Sequence, residues 1–240
     1  MSSRIRSILN IASFLAVLFM NYIANALPLN GVSQKDISAG YDNYITPAGY
    51  VFSIWGLIYL GLTVYVVIQA LPKWMNHSDI RSLDHPFILS CLCNILWIVA
   101  WHYFYLTTSV VLMFGLLLSL IGVCRCFKQH KQTENSFVGV VQTTFRIYLG
   151  WVGIATVLNL SIWLNSLNLS TNFLSSQYCA ILLLGIVYFI YLYVAFAKRE
   201  IALLSVLTWA SLGIGIKNQF NNEKLIIASS DEVELKGRQS

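Results

Sequence analysis

Long apolar runs separated by short polar patches organise this chain. A helix that crosses a bilayer needs about 20 mostly apolar residues. By that measure Ile8 to Leu27 predicts helix 1, and Pro47 to Leu71 predicts helix 2. The run from Pro86 to Cys124 is too long for one span, and the polar patch His102 to Ser109 divides it into helices 3 and 4. Ile147 to Ala197 carries no charge, but Asn165 to Gln177 is rich in Asn and Ser and divides it into helices 5 and 6. Ile201 to Ile216 predicts a short helix 7, which rises only about 24 Å. The pattern predicts an all-α membrane protein with seven spans. A polar tail over 217–240, expected to be disordered, follows them.

Composition agrees with the pattern. The chain of 240 residues is 57% hydrophobic and only 10% charged. Soluble domains average about 45–50% apolar and about 25% charged. Aromatics at 14% suit interfacial anchors or an aromatic-lined cavity. The net charge of +5 does not point to nucleic acid, because the basic residues fall between apolar runs. The five cysteines do not form a disulfide framework. Cys91, Cys93 and Cys179 lie within apolar runs, and Cys124 and Cys126 close another. Residues two apart on a helix point away from each other, so Cys-x-Cys is no metal site there. They read as small polarizable core residues.

Charge gives orientation. With the N-terminus inside, the cytoplasmic segments hold Arg4, Arg6, Lys73, Arg81, Arg125, Lys128, Lys131, Arg146, Lys198 and Arg199. The other side holds Lys35 and, in the tail, Lys217, Lys224, Lys236 and Arg238. That bias predicts a cytoplasmic N-terminus and an external C-terminus. Arg4 and Arg6 before an apolar run resemble a signal peptide, but the run continues to Leu27 without a small-x-small cleavage site and reads as a retained helix. With no transit-type N-terminus, a bacterial inner membrane is expected. Asn168-Leu-Ser170 would be a glycosylation sequon in a eukaryote. Pro28 to Thr46 is long enough to fold over the mouth of a cavity. The two halves show no internal repeat, which argues against a transporter built from duplicated bundles.

Aromatic and amide residues recur at helical spacing. Pro47 suits a first helical turn, where its missing N–H costs nothing. Beyond it Phe52, Trp55 and Tyr59 share one face, as do Asn94, Trp97 and Trp101 on helix 3. On helix 5 Trp151, Ala155, Asn159 and Trp163 recur every four residues, and helix 1 adds Asn21 and Asn25. A buried Asn in lipid needs a partner, so these amides should face the bundle interior. Two readings follow from spacing: amides bonded between helices with aromatics filling space, or a cavity with stacking walls for a flat apolar ligand. Gly56, Gly61, Gly150 and Gly153 permit close helix contacts, including those of a homodimer.

The run from Pro47-Ala-Gly-Tyr-Val-Phe-Ser-Ile-Trp to Tyr59 resembles the second-helix signature of the TspO/MBR family. These are the tryptophan-rich sensory proteins, related to the translocator protein or peripheral benzodiazepine receptor. Asn94-Ile-Leu-Trp97 resembles the family's third-helix Asn-x-x-Trp. Trp151-Val-Gly-Ile-Ala-Thr-Val-Leu-Asn159 resembles its fifth-helix motif. The resemblance covers about residues 8–167 and implies a TspO-like five-helix transmembrane bundle over 1–167, here with two additional C-terminal helices over 168–216. It implies a pocket for porphyrins, sterols or similar apolar molecules, with Tyr50, Phe52, Trp55, Tyr59, Asn94, Trp97, Trp101, Trp151, Ala155 and Asn159 as candidate ligand-binding residues. Ala48 stands where the family has a second Pro, and Tyr50 where it has Trp. No cofactor is required, and a tetrapyrrole is a possible ligand.

Three function classes remain: a ligand-binding sensor or carrier, a transporter of a small neutral solute, and a porphyrin-degrading enzyme. Ion-coupled transport is disfavoured, because no Asp, Glu, Lys or Arg falls inside an expected span. Catalytic carboxylate pairs or Ser/His/Asp sets are likewise missing from the spans. A retinal-type photoreceptor would need a mid-span lysine in the last helix, and Lys217 follows it. His77, His85, His102 and His130 are not placed to ligate one haem iron.

Overall fold

The computed structural model describes residues 2–27, 29–33, 36–37, 40, 45–128, 136–167, 176–198 and 200–237. Seven long helices organise them: α1 Ser3–Ala26, α2 Ile54–Ala70, α3 Asp84–His102, α4 Leu106–Lys128, α5 Ser136–Ser166, α6 Ser176–Lys198 and α7 Ile201–Gly237. A 3-10 segment, Gly49–Ser53, leads into α2, and a single helical turn, Ser78–Arg81, precedes α3. There is no strand among the described residues. Among the described residues six segments are long and apolar enough to cross a membrane, and α6 contributes a shorter apolar stretch, Ile181–Ala197.

Helices α1 to α5 close into a ring. α1 packs on α3, α3 on α4, α4 on α5, α5 on α2, and α2 back on α1. Both α6 and α7 pack against the outside of α5 and against each other. Small residues allow these close approaches. A Cβ on Gly61 would run into Thr144 of α5, one on Gly150 would press on Leu203 and Val206 of α7, and one on Gly153 would meet the Tyr191 hydroxyl of α6. Those three glycines therefore serve contacts within the chain, whereas Gly56 faces open space.

The basic residues of the first five helices gather at one end of the ring. Arg6 pairs with Asp84 at 3.6 Å, Cys126 Sγ donates to the Ser82 carbonyl, and Arg146 pairs with Glu200 at 2.8 Å. Beside Arg6, Asn10 donates to Asp84 at 2.7 Å, and Ser7 donates to the Gln69 carbonyl. Above this polar knot, Tyr65, Phe87 and Phe145 meet edge to face, with centroids 4.9–6.0 Å apart. The ring is thus plugged at its basic end.

The expected elements stand, with shifted ends. α2 does not begin at Pro47. Ala48 is extended and its N–H donates to the Gly213 carbonyl, so the helix starts as 3-10 at Gly49 and becomes α at Ile54. α3 begins at Asp84, which brings a carboxylate into a span where none was expected, and Asp84 is buried. α5 starts at Ser136 rather than Ile147, because Arg146 is accommodated within the helix by its pair with Glu200. The tail expected to be disordered from 217 instead continues α7 as helix to Gly237. No Gly or Pro lies between Lys217 and Lys236, and Glu, Lys, Leu and Ala there favour helix.

Between α3 and α4 the chain reverses tightly. Phe104 takes a left-handed conformation, φ 59°, and the Tyr105 N–H donates back to the Ala100 carbonyl at 2.9 Å. That closes the last turn of α3 in the manner of a Schellman cap. About half of the loop 28–46 lies outside the described residues, as does the sequon at Asn168. Its described parts lie on the bundle: Ile37 is buried in the core, Asn30 donates to the His102 carbonyl, and Ile45 packs with Val157 and Leu158.

Candidate ligand site

Above the aromatic plug, the ring interior becomes a stack of indoles. Phe52, Trp55, Trp97, Trp101, Trp151, Ala155, Leu158 and Asn159 line one cavity between α2, α3 and α5. The 3-10 turn of Gly49–Ser53 delivers Phe52, whose ring stands edge-on to Trp151 at 5.8 Å. Trp55 stands edge-on to Trp151 at 6.4 Å. On α3, Trp97 and Trp101 stack on each other at 6.0 Å. The four-residue recurrence on α5 puts Trp151, Ala155 and Asn159 on the wall, and the small Ala155 leaves space beside the rings.

The cavity is about 30 Å³, room for little more than one water. Its walls are apolar rings with a few polar atoms. Those atoms share one character. Trp97 Nε1, Trp151 Nε1 and Asn159 Nδ2 are buried donors that have no hydrogen-bond partner. Asn159 uses its other amide atom, since Oδ1 accepts from Ser109 at 3.2 Å. A buried unpaired donor costs about 1–3 kcal/mol. Three on residues lining one cavity form a set suited to a group that accepts hydrogen bonds.

Other residues expected at the site sit elsewhere. Tyr50 is half exposed and stands edge-on to Trp209 of α7 at 5.5 Å, so it faces the added helix rather than the cavity. Tyr59 stacks under Trp55 at 5.5 Å, one layer deeper. Both amide atoms of Asn94 are engaged: its Oδ1 accepts from Asn21 at 3.2 Å and its Nδ2 donates to the Tyr148 hydroxyl at 3.3 Å. For Asn94 the interhelical bond, not a ligand contact, is what the packing provides. Asn25 caps back on the Asn21 carbonyl of its own helix, so α1 contributes no amide to the cavity wall. Trp163 donates to Thr107 near the end of α5.

Two participants escape the spacing argument. Leu158 lines the cavity as the neighbour of Asn159. Tyr148 holds Asn94 and presents its ring to Trp55 at 5.7 Å. Extending the α5 stripe back one turn from Trp151 would have found it. Among the described residues no group of three or more His, Cys, Asp and Glu could hold a metal.

A family model described as TSPO-like protein matches residues 7–230. The match is not confined to the first five helices; it runs through α6 and into α7. No curated protein and no solved structure matches the chain.

Proposed function

This chain belongs to the TSPO-like protein family, and on that footing we propose that it binds a flat apolar molecule carrying hydrogen-bond acceptors, of the porphyrin or sterol kind, in its indole-lined cavity. It is a multi-pass integral membrane protein of TspO type. The observation that carries the reading is the coincidence of stacked indoles with three unpaired N–H donors around one hollow. Indole faces supply stacking, and the donors select a ligand whose edge bears carboxylate, carbonyl or pyrrolic nitrogen acceptors. A tetrapyrrole meets both requirements, which favours porphyrin over sterol.

Ligand pockets usually measure about 300–1,000 Å³, far above this hollow. Binding therefore separates rings of α2 from rings of α5. Phe52 is the ring to move, because it rides on a 3-10 turn rather than a full α-helix. The plug at the basic end closes the ring beneath the ligand. That supports sensing or carriage in the bilayer over passage of a solute through the ring. The basic end faces the cytoplasm of a bacterial inner membrane in this reading, by the positive-inside rule.

Protoporphyrin IX titrated into the full chain in detergent, followed by tryptophan quenching, tests it. Trp55→Ala and Asn159→Leu weaken binding several-fold, while Trp74→Phe, at the basic end, does not. Unchanged titrations for both pocket variants would refute the assignment.

A further inference from the structure

A second cavity, about 550 Å³, lies outside the ring between α4, α5 and α6. Its origin is in the packing. α4 and α6 both lie on α5 but make little contact with each other, so a cleft remains over the α5 surface between them. Phe114, Ile186 and Ile190 on its walls are exposed, so the cleft opens toward lipid. Its lining is almost wholly apolar, with Arg125 at one end.

Three observations define an occupant. The α4 wall runs from Phe114 to Arg125, which at about 1.5 Å per residue is about 16 Å. That is half of a hydrocarbon core of about 30 Å, the depth of one leaflet. Next, Arg125 stands at the basic end of the bundle, where the headgroups of that leaflet lie. Finally, Arg125 has no carboxylate partner among the described residues, whereas Arg6 and Arg146 are each paired. Glu200 is taken up by Arg146. An apolar slot of one-leaflet depth, ending in a guanidinium without a carboxylate partner among the described residues, is complementary to an acyl chain joined to a phosphate.

We propose that the α4–α5–α6 cleft is a binding site for one anionic phospholipid, its acyl chain along α5 and its phosphate on Arg125. The site is separate from the indole cavity and does not depend on what that cavity binds. The lipid fills the gap that keeps α6 from touching α4, and so fastens the added helix to the ring.

The test uses the full chain, delipidated in detergent and incubated with equal amounts of dioleoyl phosphatidylglycerol and dioleoyl phosphatidylcholine. Native mass spectrometry then reads the retained lipid. The unaltered chain retains one phosphatidylglycerol in preference to phosphatidylcholine. Arg125→Gln lowers that preference about fivefold, in line with one cation near a headgroup. Arg125→Lys keeps most of it, and Arg4→Gln, at the exposed N-terminus, changes nothing. Ile186→Trp, which fills the cleft, reduces retention of both lipids. Equal retention of the two lipids by the unaltered chain, or an undiminished preference in Arg125→Gln, overturns the proposal.

Discussion

The Trp209 indole of α7 donates to the Val51 carbonyl at 3.0 Å, across 158 positions of sequence. Val51 sits in the 3-10 turn that delivers Phe52 to the cavity, and its side chain is where a Cβ on Gly213 would fall. The Ala48 N–H bonds to Gly213 as well. α7 therefore clasps the entrance of α2 at three points, although none of its residues lines the cavity. Trp209→Phe removes one bond, worth about 1 kcal/mol. It is expected to shift porphyrin affinity while leaving the cavity walls intact. Gly213→Val drives a side chain into Val51 and costs about 1–3 kcal/mol, read as a lower melting temperature in detergent.

The Asn21–Asn94–Tyr148 chain ties α1, α3 and α5 together inside the bilayer. Asn94→Leu leaves the Tyr148 hydroxyl and the Asn21 amide without that partner, at a cost of about 1–3 kcal/mol. A double-mutant cycle of Asn21→Leu with Asn94→Leu should give a coupling of only about 0.6 kcal/mol, as is usual for amide pairs in membranes. A coupling near zero would mean that the two side chains do not bond.

Phe104 holds its left-handed conformation without being glycine. A non-glycine residue there costs roughly 1–2 kcal/mol. Its side chain is half exposed, so little packing is lost on its removal. Phe104→Gly is expected to raise thermal stability, measured by unfolding in detergent, even though it deletes an aromatic ring.

Orientation follows from the gathering of basic residues at one end. Alkaline phosphatase fused after Lys128 in a bacterial host should be inactive, and fused after Leu167 active. The reverse pattern would place the plugged end of the ring outside the cell.

The spans were legible because lipid demands apolar runs whatever the tertiary packing. Their ends were less so. Arg146 marks a boundary in a charge-based reading, yet its pair with Glu200 lets α5 run ten residues further back, to Ser136. Asp84 looks like loop until Asn10 and Arg6, far away in sequence, supply its partners. In the site, four-residue spacing brought Trp151, Ala155 and Asn159 to one wall. Spacing could not say which amide was already used. Asn94 and Asn159 look alike along the chain, and only the neighbours of each decide that one has both amide atoms engaged and the other has an unpartnered Nδ2. Tyr50 faces away from the cavity for a similar reason, since its ring partner Trp209 belongs to a helix outside the five-helix pattern.

The ring order places α2 between α1 and α5, although α2 is synthesised long before α5. During biogenesis, α2 must therefore wait in the bilayer with its aromatic face unsheltered, while two further helices are inserted. The arrival of α5 gives that face its ring partners Tyr148 and Trp151, and the final helix locks its threshold. A ribosome that stops early would release a chain whose tryptophans look outward, a natural target for membrane quality-control proteases.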